Sequence, residues 1–365
     1  MTSDKFALPR RLLVYCDSLA RRQRLLETHS ATLVRLRDAG YLVQLPQGWK
    51  PETAADSTSG VASGNVTAFA VHSFFVELER YRHQQQPGAA WVGHTLVHAP
   101  LLESTQDLIR SFAFPDGTVV VADRQVSGRG RRGATWDSPG GSLAFSLQLE
   151  LQNGCDRPVQ FIQYIAGLAL AESIPNESPE AEQEAARALH IKWPNDLLVD
   201  GLKVAGILCE SSVFRDRFTV YVGIGVNVAN AAPTAALAQF SWASALTRER
   251  LLARFLVRFE RFLTIFLDKG WVASGLGARY TARWLHQRQL VLLAETNQRG
   301  RIIGLSQQGC LLVELDPLSG ERGRSGASAV AGQAQCEAGT CSQYIEVEPD
   351  VSSFDWQRGI VQRKQ

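Results

Sequence analysis

The chain has 365 residues, 45% hydrophobic and 20% charged, with 30 glycines and 14 prolines. That length exceeds one ordinary domain, and that composition excludes a disordered, fibrous or collagen-like chain. With 38 Lys and Arg against 36 Asp and Glu the formal net charge is only +2, so no global field gathers nucleic acid or an anionic membrane, and any basic function must be local.

In chain order, Leu12 to Trp49 reads as a short strand, LLVYC, and an amphipathic helix. The helix starts near Asp17 or Ser18, sets Leu19, Leu26, Leu33 and Leu36 on its apolar side and closes at Gly40. The run PETAADSTSGVASGNVT over 51–67 has the composition of a linker, so residues 1–65 are expected to form a small α/β segment and linker. No pair of short helices with a Gly turn and a basic recognition face precedes it, which argues against a helix-turn-helix DNA reader.

Over 66–284, β-like runs (TLVHA, TVVVAD, SLAFSLQLEL, FTVYVGIGVNV) alternate with helical ones (VQFIQYIAGLALAESI and RERLLARFLVRFERFLTIFLDKGW). This alternation predicts a layered α/β domain with helices against a sheet. The helix expected from about Thr247 to Asp268 stacks Leu252, Phe255, Leu256, Phe259, Phe262, Leu263 and Phe266 on one side, a core-packing pattern. Beyond Trp284, the runs QLVLLAE, RGRIIGLS, GCLLVELD and YIEVEP between Gly-rich or polar turns predict a small C-terminal β-barrel over 285–365.

The cysteines (Cys16, Cys155, Cys209, Cys310, Cys336 and Cys341) are scattered singly, which fits a reducing compartment better than a disulfide scaffold. Cys336 and Cys341 share a Gly/Ala/Ser-rich stretch that supplies no further Cys or His to complete a zinc set, so no metal site is expected there. No run of about 18 apolar residues is present to span a bilayer, and MTSDKFALPRR has no apolar signal core. The cytosol is the expected location, with an organelle such as a plastid as the alternative.

Three motifs carry chemistry. The hexapeptide Gly128-Arg129-Gly130-Arg131-Arg132-Gly133 follows the strand TVVVAD and precedes Trp136. Glycines bring bare N–H groups close to a ligand and arginines offer forked donors, a loop suited to anions. By itself it equally describes an RGG-like nucleic-acid segment or a solvated basic turn. Lys192-Trp193-Pro194-Asn195-Asp196 followed by GLKVAGIL reads as strand, turn and strand, aiming Lys192, Asp196 and Lys203 towards one region; the plain reading is a good turn and an exposed hairpin lysine. Gly223-Ile224-Gly225-Val226-Asn227 is an apolar strand permitting close backbone approach, too loose for a dinucleotide fingerprint.

In this order, with Glu103-Ser104-Thr105 upstream, the motifs resemble the catalytic domain of biotin protein ligases, also called holocarboxylase synthetases. The resemblance runs from about Thr95 to the end, and FIQYIAGLAL, LHIKWPNDLLVDGLKVAGILCES and YIEVEPDVSSFDWQRGIVQRK look like the eukaryotic, plant-type members. It implies a mixed α/β catalytic domain related to class II aminoacyl-tRNA synthetases and a C-terminal SH3-like barrel. Carried over by motif, Ser104, Thr105, Gln106, Gln125, Gly128, Arg129, Gly130, Arg131, Lys203 and Gly206 would line the biotin side. Arg131, Arg132, Trp136, Lys192, Asn195, Asp196 and Asn227 would lie on the ATP side, with Lys203, Arg131, Arg129 and Asp196 as the catalytic set. Position 106 is Gln where many relatives have Asn or His, and the acidic segment PNESPEAEQEAARA is extended.

The implied activity is ATP- and Mg²⁺-dependent formation of biotinyl-5′-AMP, then transfer of biotin to a lysine of the biotin carboxyl carrier domain of a carboxylase such as acetyl-CoA carboxylase. No nucleic-acid or membrane partner is implied. The rivals are a lipoate or octanoate ligase, disfavoured by GRGRRG with KWPND, and a biotin-responsive DNA-binding repressor, for which the first 90 residues show no recognition helix.

Overall fold

A computed structural model describes residues 10–45, 68–85, 91–152, 159–175, 177–214, 217–230, 235–316, 343–349 and 352–363. The expected linker at 51–67 and the pair Cys336 and Cys341 lie outside these. The chain opens with β1 (Arg10–Cys16), α1 (Leu19–Thr28), α2 (Ser30–Asp38) and β2 (Tyr41–Gln44). Next come α3 (Val71–Gln84), β3 (Thr95–Leu102), α4 (Thr105–Ser111), β4 (Val119–Arg129), β5 (Thr135–Ser138), β6 (Leu143–Gln152), α5 (Gln160–Ser173) and α6 (Pro179–Ala188). The hairpins β7 (Leu189–Lys192), β8 (Asp196–Val199), β9 (Leu202–Phe214) and β10 (Arg217–Val226) lead to α7 (Arg248–Lys269) and α8 (Leu276–Ala282). Six strands finish the chain: β11 (Leu290–Leu293), β12 (Gln298–Leu305), β13 (Leu311–Leu315), β14 (Tyr344–Val347), β15 (Ser352–Asp355) and β16 (Ile360–Arg363).

Hydroxyl caps decide where several helices begin. Ser18, Ser104, Ser178 and Thr247 each accept from the backbone N–H three residues on, satisfying a donor that the first turn leaves open. Ser178, with Pro179 in the first turn and Glu180 and Glu182 at the positive end of the dipole, turns the acidic insertion into helix α6. The single helix expected over 18–40 is instead two, because His29 (φ −123, ψ 22) leaves helical geometry between them. The break shifts the phase of the apolar stripe, so Leu25, Leu33 and Leu36 are buried while Leu26 is 44% exposed. The C-terminal tail holds the additional hairpin β15–β16, and β16 runs parallel beside β11.

The first ten strands form one mixed sheet in the order β2-β1-β3-β4-β6-β10-β9-β8-β7, with β5 on β4. The N-terminal segment is not folded apart: β1 pairs antiparallel with β3, from Leu13 opposite His98 to Cys16 opposite Thr95. Side chains alternate across this sheet and build two cores. Val119 and Val121 of β4 face α3, α5 and α7 in a large core that includes Phe74, Phe145, Phe161, Tyr164, Phe255 and Phe259. Val120 and Ala122 face α1, α2 and α4 in a smaller one built on Leu12, Leu36, Leu108 and Ile109.

The last six strands form a separate sheet in the order β14-β13-β12-β11-β16-β15. It shares the large core through Val291, Ile302, Leu311 and Val313 and accepts a hydrogen bond at the Gly309 carbonyl from Tyr164 Oη, 2.6 Å. A mixed α/β body with a small C-terminal β unit is what the patterning predicts. Among the described residues, no helix is long and apolar enough to cross a membrane.

Candidate active site

The site is a trough made by small residues in register. Asp196 of β8 lies opposite Gly206 of β9, Gly206 opposite Gly225 of β10, Gly225 opposite Ala144 of β6, and Ala144 opposite Ala122 of β4. These positions share the face that carries α4, so that face lacks bulk along a strip crossing five strands. The Trp136 indole occupies it. A Cβ on Gly225 would stand 2.2 Å from the ring, so only glycine admits the indole there. Gly128 has a similar duty, because β4 and β5 approach so closely that a Cβ would meet the Trp136 carbonyl oxygen at 2.3 Å.

One end of the trough is a neutral hydrogen-bond net. Thr105 N and Oγ1 donate to Gln125 Oε1 at 2.7 and 3.1 Å, Thr105 Oγ1 lies 2.9 Å from Ser146 Oγ, and Gln125 Nε2 donates to Ser138 Oγ at 2.9 Å. Buried Gln106 gives Nε2 to Glu210 Oε2 and to the Tyr221 carbonyl, while its Oε1 has no partner among the described residues. The other end is ionic. Lys203 Nζ is 2.7 Å from Asp196 Oδ1 and 5.6 Å from the Trp136 ring centre, and Lys192 Nζ is 3.7 Å from Asp196 Oδ2. Asn195 Nδ2 donates to the Ile207 carbonyl at 3.1 Å.

The hexapeptide arches over this floor. Arg132 (φ 60) and Gly133 (φ 73) turn the chain in the left-handed region, a conformation that a non-glycine residue holds only under constraint. Arg129 leans out to Asp107 at 2.7 Å and Glu210 at 3.4 Å, and the bond to Asp107, with Glu210 adding to it, pushes its guanidinium up. Arg131 donates to Asn195 Oδ1 at 3.3 Å and to the Pro349 carbonyl at 3.1 Å, and Arg132 donates to the carbonyls of Pro349 and Ser352 at 2.8 and 2.9 Å.

Together these parts enclose a cavity of about 280 Å³. Of the residues singled out from sequence, Ser104, Thr105, Gln106, Gln125, Arg129, Gly130, Arg131, Arg132, Trp136, Lys192, Asn195, Asp196, Lys203 and Gly206 all line it. Gly128 and Asn227 do not: Gly128 closes the β4–β5 pair behind Trp136, and Asn227 is buried just past β10, its N–H bonded to the Val204 carbonyl at 2.8 Å. Ser146, Pro349, Ser352 and Phe354 also line the cavity, and sequence reasoning missed them. Ser146 hid inside a regular strand, and the other three sit in a tail that the resemblance marked as a whole without singling out a site residue.

The chemistry available is electrostatic. Arg129, Arg131, Arg132, Lys192 and Lys203 face a lining in which Asp196 is the sole carboxylate among the described residues, and no His or Cys lines it. Burial disfavours the thiolate at the described cysteines, pushing Cys16 up, Cys209 to about 12 and Cys310 to about 11. Among the described residues, no group of three or more His, Cys, Asp or Glu could hold a metal ion. A flat indole floor, a ring of cations and buried amide groups suit an anionic ligand with planar parts.

Residues 99–227 match the biotin/lipoate A/B protein ligase family. The chain is similar to biotin–protein ligase 2 of Arabidopsis thaliana, 34% identical over 285 residues, which cover 74% of this chain and 78% of that one. Among solved structures it is similar to the biotin protein ligase from Aquifex aeolicus in complex with biotin and ATP, with 29% identity, a TM-score of 0.49 and coverage of 60% of this chain and 90% of that one. It is 35% identical over 286 residues to the chloroplastic biotin–protein ligase 1 of Arabidopsis thaliana, across 74% of this chain and 70% of that one, and the chain belongs to the biotin protein ligase family.

Proposed function

We propose that the chain activates biotin with ATP and transfers it to a lysine of a carboxylase's biotin carboxyl carrier domain. The observation that carries this reading is the set of five cations gathered beside a neutral hydrogen-bond net and an indole floor. Joining a carboxylate to a triphosphate brings like charges together, and only cations held where water screens poorly offset that repulsion.

In the first step a biotin carboxylate oxygen attacks the α-phosphorus, the bond to the bridging oxygen breaks, and pyrophosphate leaves. Ser104, Thr105, Gln106 and Gln125 receive the biotin head. Arg129 and Arg131 hold carboxylate and α-phosphate in line, and Lys203, positioned by Asp196, stabilises the charge that develops between them. Trp136, Lys192 and Asn195 take the nucleotide side. A single pocket carboxylate paired with two lysines is no all-protein magnesium cage, so a magnesium ion would be held chiefly by the nucleotide's own phosphates, with Asp196 the one side-chain carboxylate at hand, and would supply neutralisation of phosphate charge. In the second step a neutral acceptor amine attacks the acyl carbon, loses its proton, and AMP departs. The arch of Arg131 and Arg132, tied to the C-terminal unit, keeps water from the mixed anhydride meanwhile.

The test is pyrophosphate release with ATP and Mg²⁺ in the presence of biotin, lipoate or octanoate, with and without an acceptor domain. Release with biotin and covalent labelling of the acceptor lysine is the expected result. Activity with lipoate alone would move the chain to the sister activity, and silence with all three acids would end the ligase reading.

A further inference from the structure

A chain of buried and part-buried hydrogen bonds runs from the turn at Trp193, beside the cavity, to the C-terminal unit through one histidine. His286 follows the segment that lies beside β7, where Leu285 N–H donates to the Ile191 carbonyl. Its side chain is fully buried. His286 Nε2 accepts from the backbone N–H of Trp193 at 3.2 Å, so the ring proton sits on Nδ1, which donates to Gln289 Oε1 at 2.9 Å. Gln289 Nε2 then donates to the Trp356 carbonyl at 2.6 Å. The His286 ring also packs edge-on against Phe354, with ring centres 4.9 Å apart.

The chain starts at a cavity residue, Trp193, and the ring of its central histidine packs against another, Phe354. Trp193 sits in the turn that supplies Lys192, Asn195 and Asp196, and Phe354 lines the opposite wall on the hairpin whose neighbouring carbonyls, at Pro349 and Ser352, take the hydrogen bonds of Arg131 and Arg132. A buried backbone N–H without an acceptor would cost the native turn far more than a surface contact does. Nothing about the His286 side chain touches the cavity itself. We propose that His286 is a positioning residue that locks the Lys192–Asp196 turn to the β15–β16 hairpin, so that the nucleotide side of the cavity and its C-terminal wall hold one fixed spacing. Ligand geometry on that side is thus set from outside the lining.

This inference rests on the ligase reading and predicts an asymmetry between the two substrates. The turn at issue carries the nucleotide-side residues, whereas the biotin-side net on α4, β4 and β6 makes no contact with the relay. The full chain would be compared with His286→Ala, His286→Gln and Gln289→Leu, reading KM for ATP and for biotin separately, together with the thermal shift given by MgATP alone and by biotin alone. Loss of the acceptor in His286→Ala should raise KM for ATP about tenfold and shrink the MgATP shift, leaving both biotin readings within about twofold. His286→Gln, which can again present an oxygen to Trp193 N–H, should recover most of that loss. The double variant of His286→Ala with Gln289→Leu should be no worse than His286→Ala, because both break one chain.

Wild-type values in His286→Ala, equal damage to both substrates, or simple additivity in the double variant would each overturn the relay. Should His286→Ala fail to fold, Gln289→Leu leaves the ring in place and reads the same ATP-selective loss. Absence of biotin-dependent pyrophosphate release in the wild-type chain would sink the ligase reading instead, so the two failures are distinguishable.

Discussion

The two faces of the ten-stranded sheet are packed for different ends. Behind it, α3, α5 and α7 press a continuous aromatic core against β4, β6 and β10, with the Phe255 ring in contact with those of both Phe145 and Phe259. In front, α1 and α2 cover the β1–β2 edge and α4 reaches across β4, β6 and β10, while the strip of Asp196, Gly206, Gly225 and Ala144 is left without large side chains of its own. One face is filled with side chains until nothing more fits; the other is kept thin so that a ligand and one indole can share it. The contrast teaches that stability and chemistry are drawn from opposite sides of the same strands, and substitutions should separate them.

The largest effect on stability is expected behind the sheet. Phe259→Ala removes a fully buried ring stacked 5.4 Å from Phe255 and should lower unfolding free energy by about 3–5 kcal/mol in a urea titration, with kcat per folded molecule unchanged. Lys203→Ala in front should do the reverse: a roughly 10²–10³-fold fall in adenylate formation with an unaltered melting curve. A melting point that drops in step with activity would erase the division of labour.

At the junction the effect is pH-dependent. Burial pushes His286 down from 6.5 to about 4, Lys192 adding to the shift and the Gln289 hydrogen bond opposing it. Below 6.5 the unfolded chain takes up a proton that the native chain refuses, so stability is complete above 6.5 and falls as pH drops towards 4. Against His286→Gln, the wild type should lose about 3 kcal/mol more between pH 7 and pH 4 in paired denaturant titrations. Parallel pH profiles would show that the imidazole is not the titrating group. The smallest effect is expected at Gly225→Ala, where the new methyl evicts the Trp136 ring. Overpacking of this kind costs about 1–3 kcal/mol, visible as a rise of roughly tenfold in KM for ATP more than as a lower melting point.

The site's parts are local, but each motif alone also fitted a plain turn or strand; their order and the resemblance it carried pointed to one site, and the fold gathers most of those residues round one cavity. GRGRRG, KWPND with GLKVAGIL, and GIGVN are each short runs whose glycines, prolines and charges are unusual for strands. The helix 248–269 was plain from its spacing of Leu and Phe. What stayed hidden depends on partners distant in sequence. That Leu13 would lie beside His98, drawing the N-terminal segment into the main sheet, follows from no pattern within 10–16. His286 looked like an ordinary residue before a strand, since its meaning comes from Trp193, 93 positions away. Pro349 and Ser352 gave no signal because a backbone carbonyl that takes an arginine has no side-chain signature, and Phe354 because its partner, His286, is distant in sequence.

The strip of small residues also polices folding. Three of the strands that contribute to it carry bulk beside the glycine or alanine: Ile207 follows Gly206, Ile224 and Val226 flank Gly225, and Leu143 and Phe145 flank Ala144. A slip of one residue in any hairpin would turn such a neighbour to the front and plug the trough, besides dragging polar groups into the aromatic core. Misregistered molecules therefore lose ligand binding along with packing, and substrate occupancy selects for chains whose strands have paired correctly.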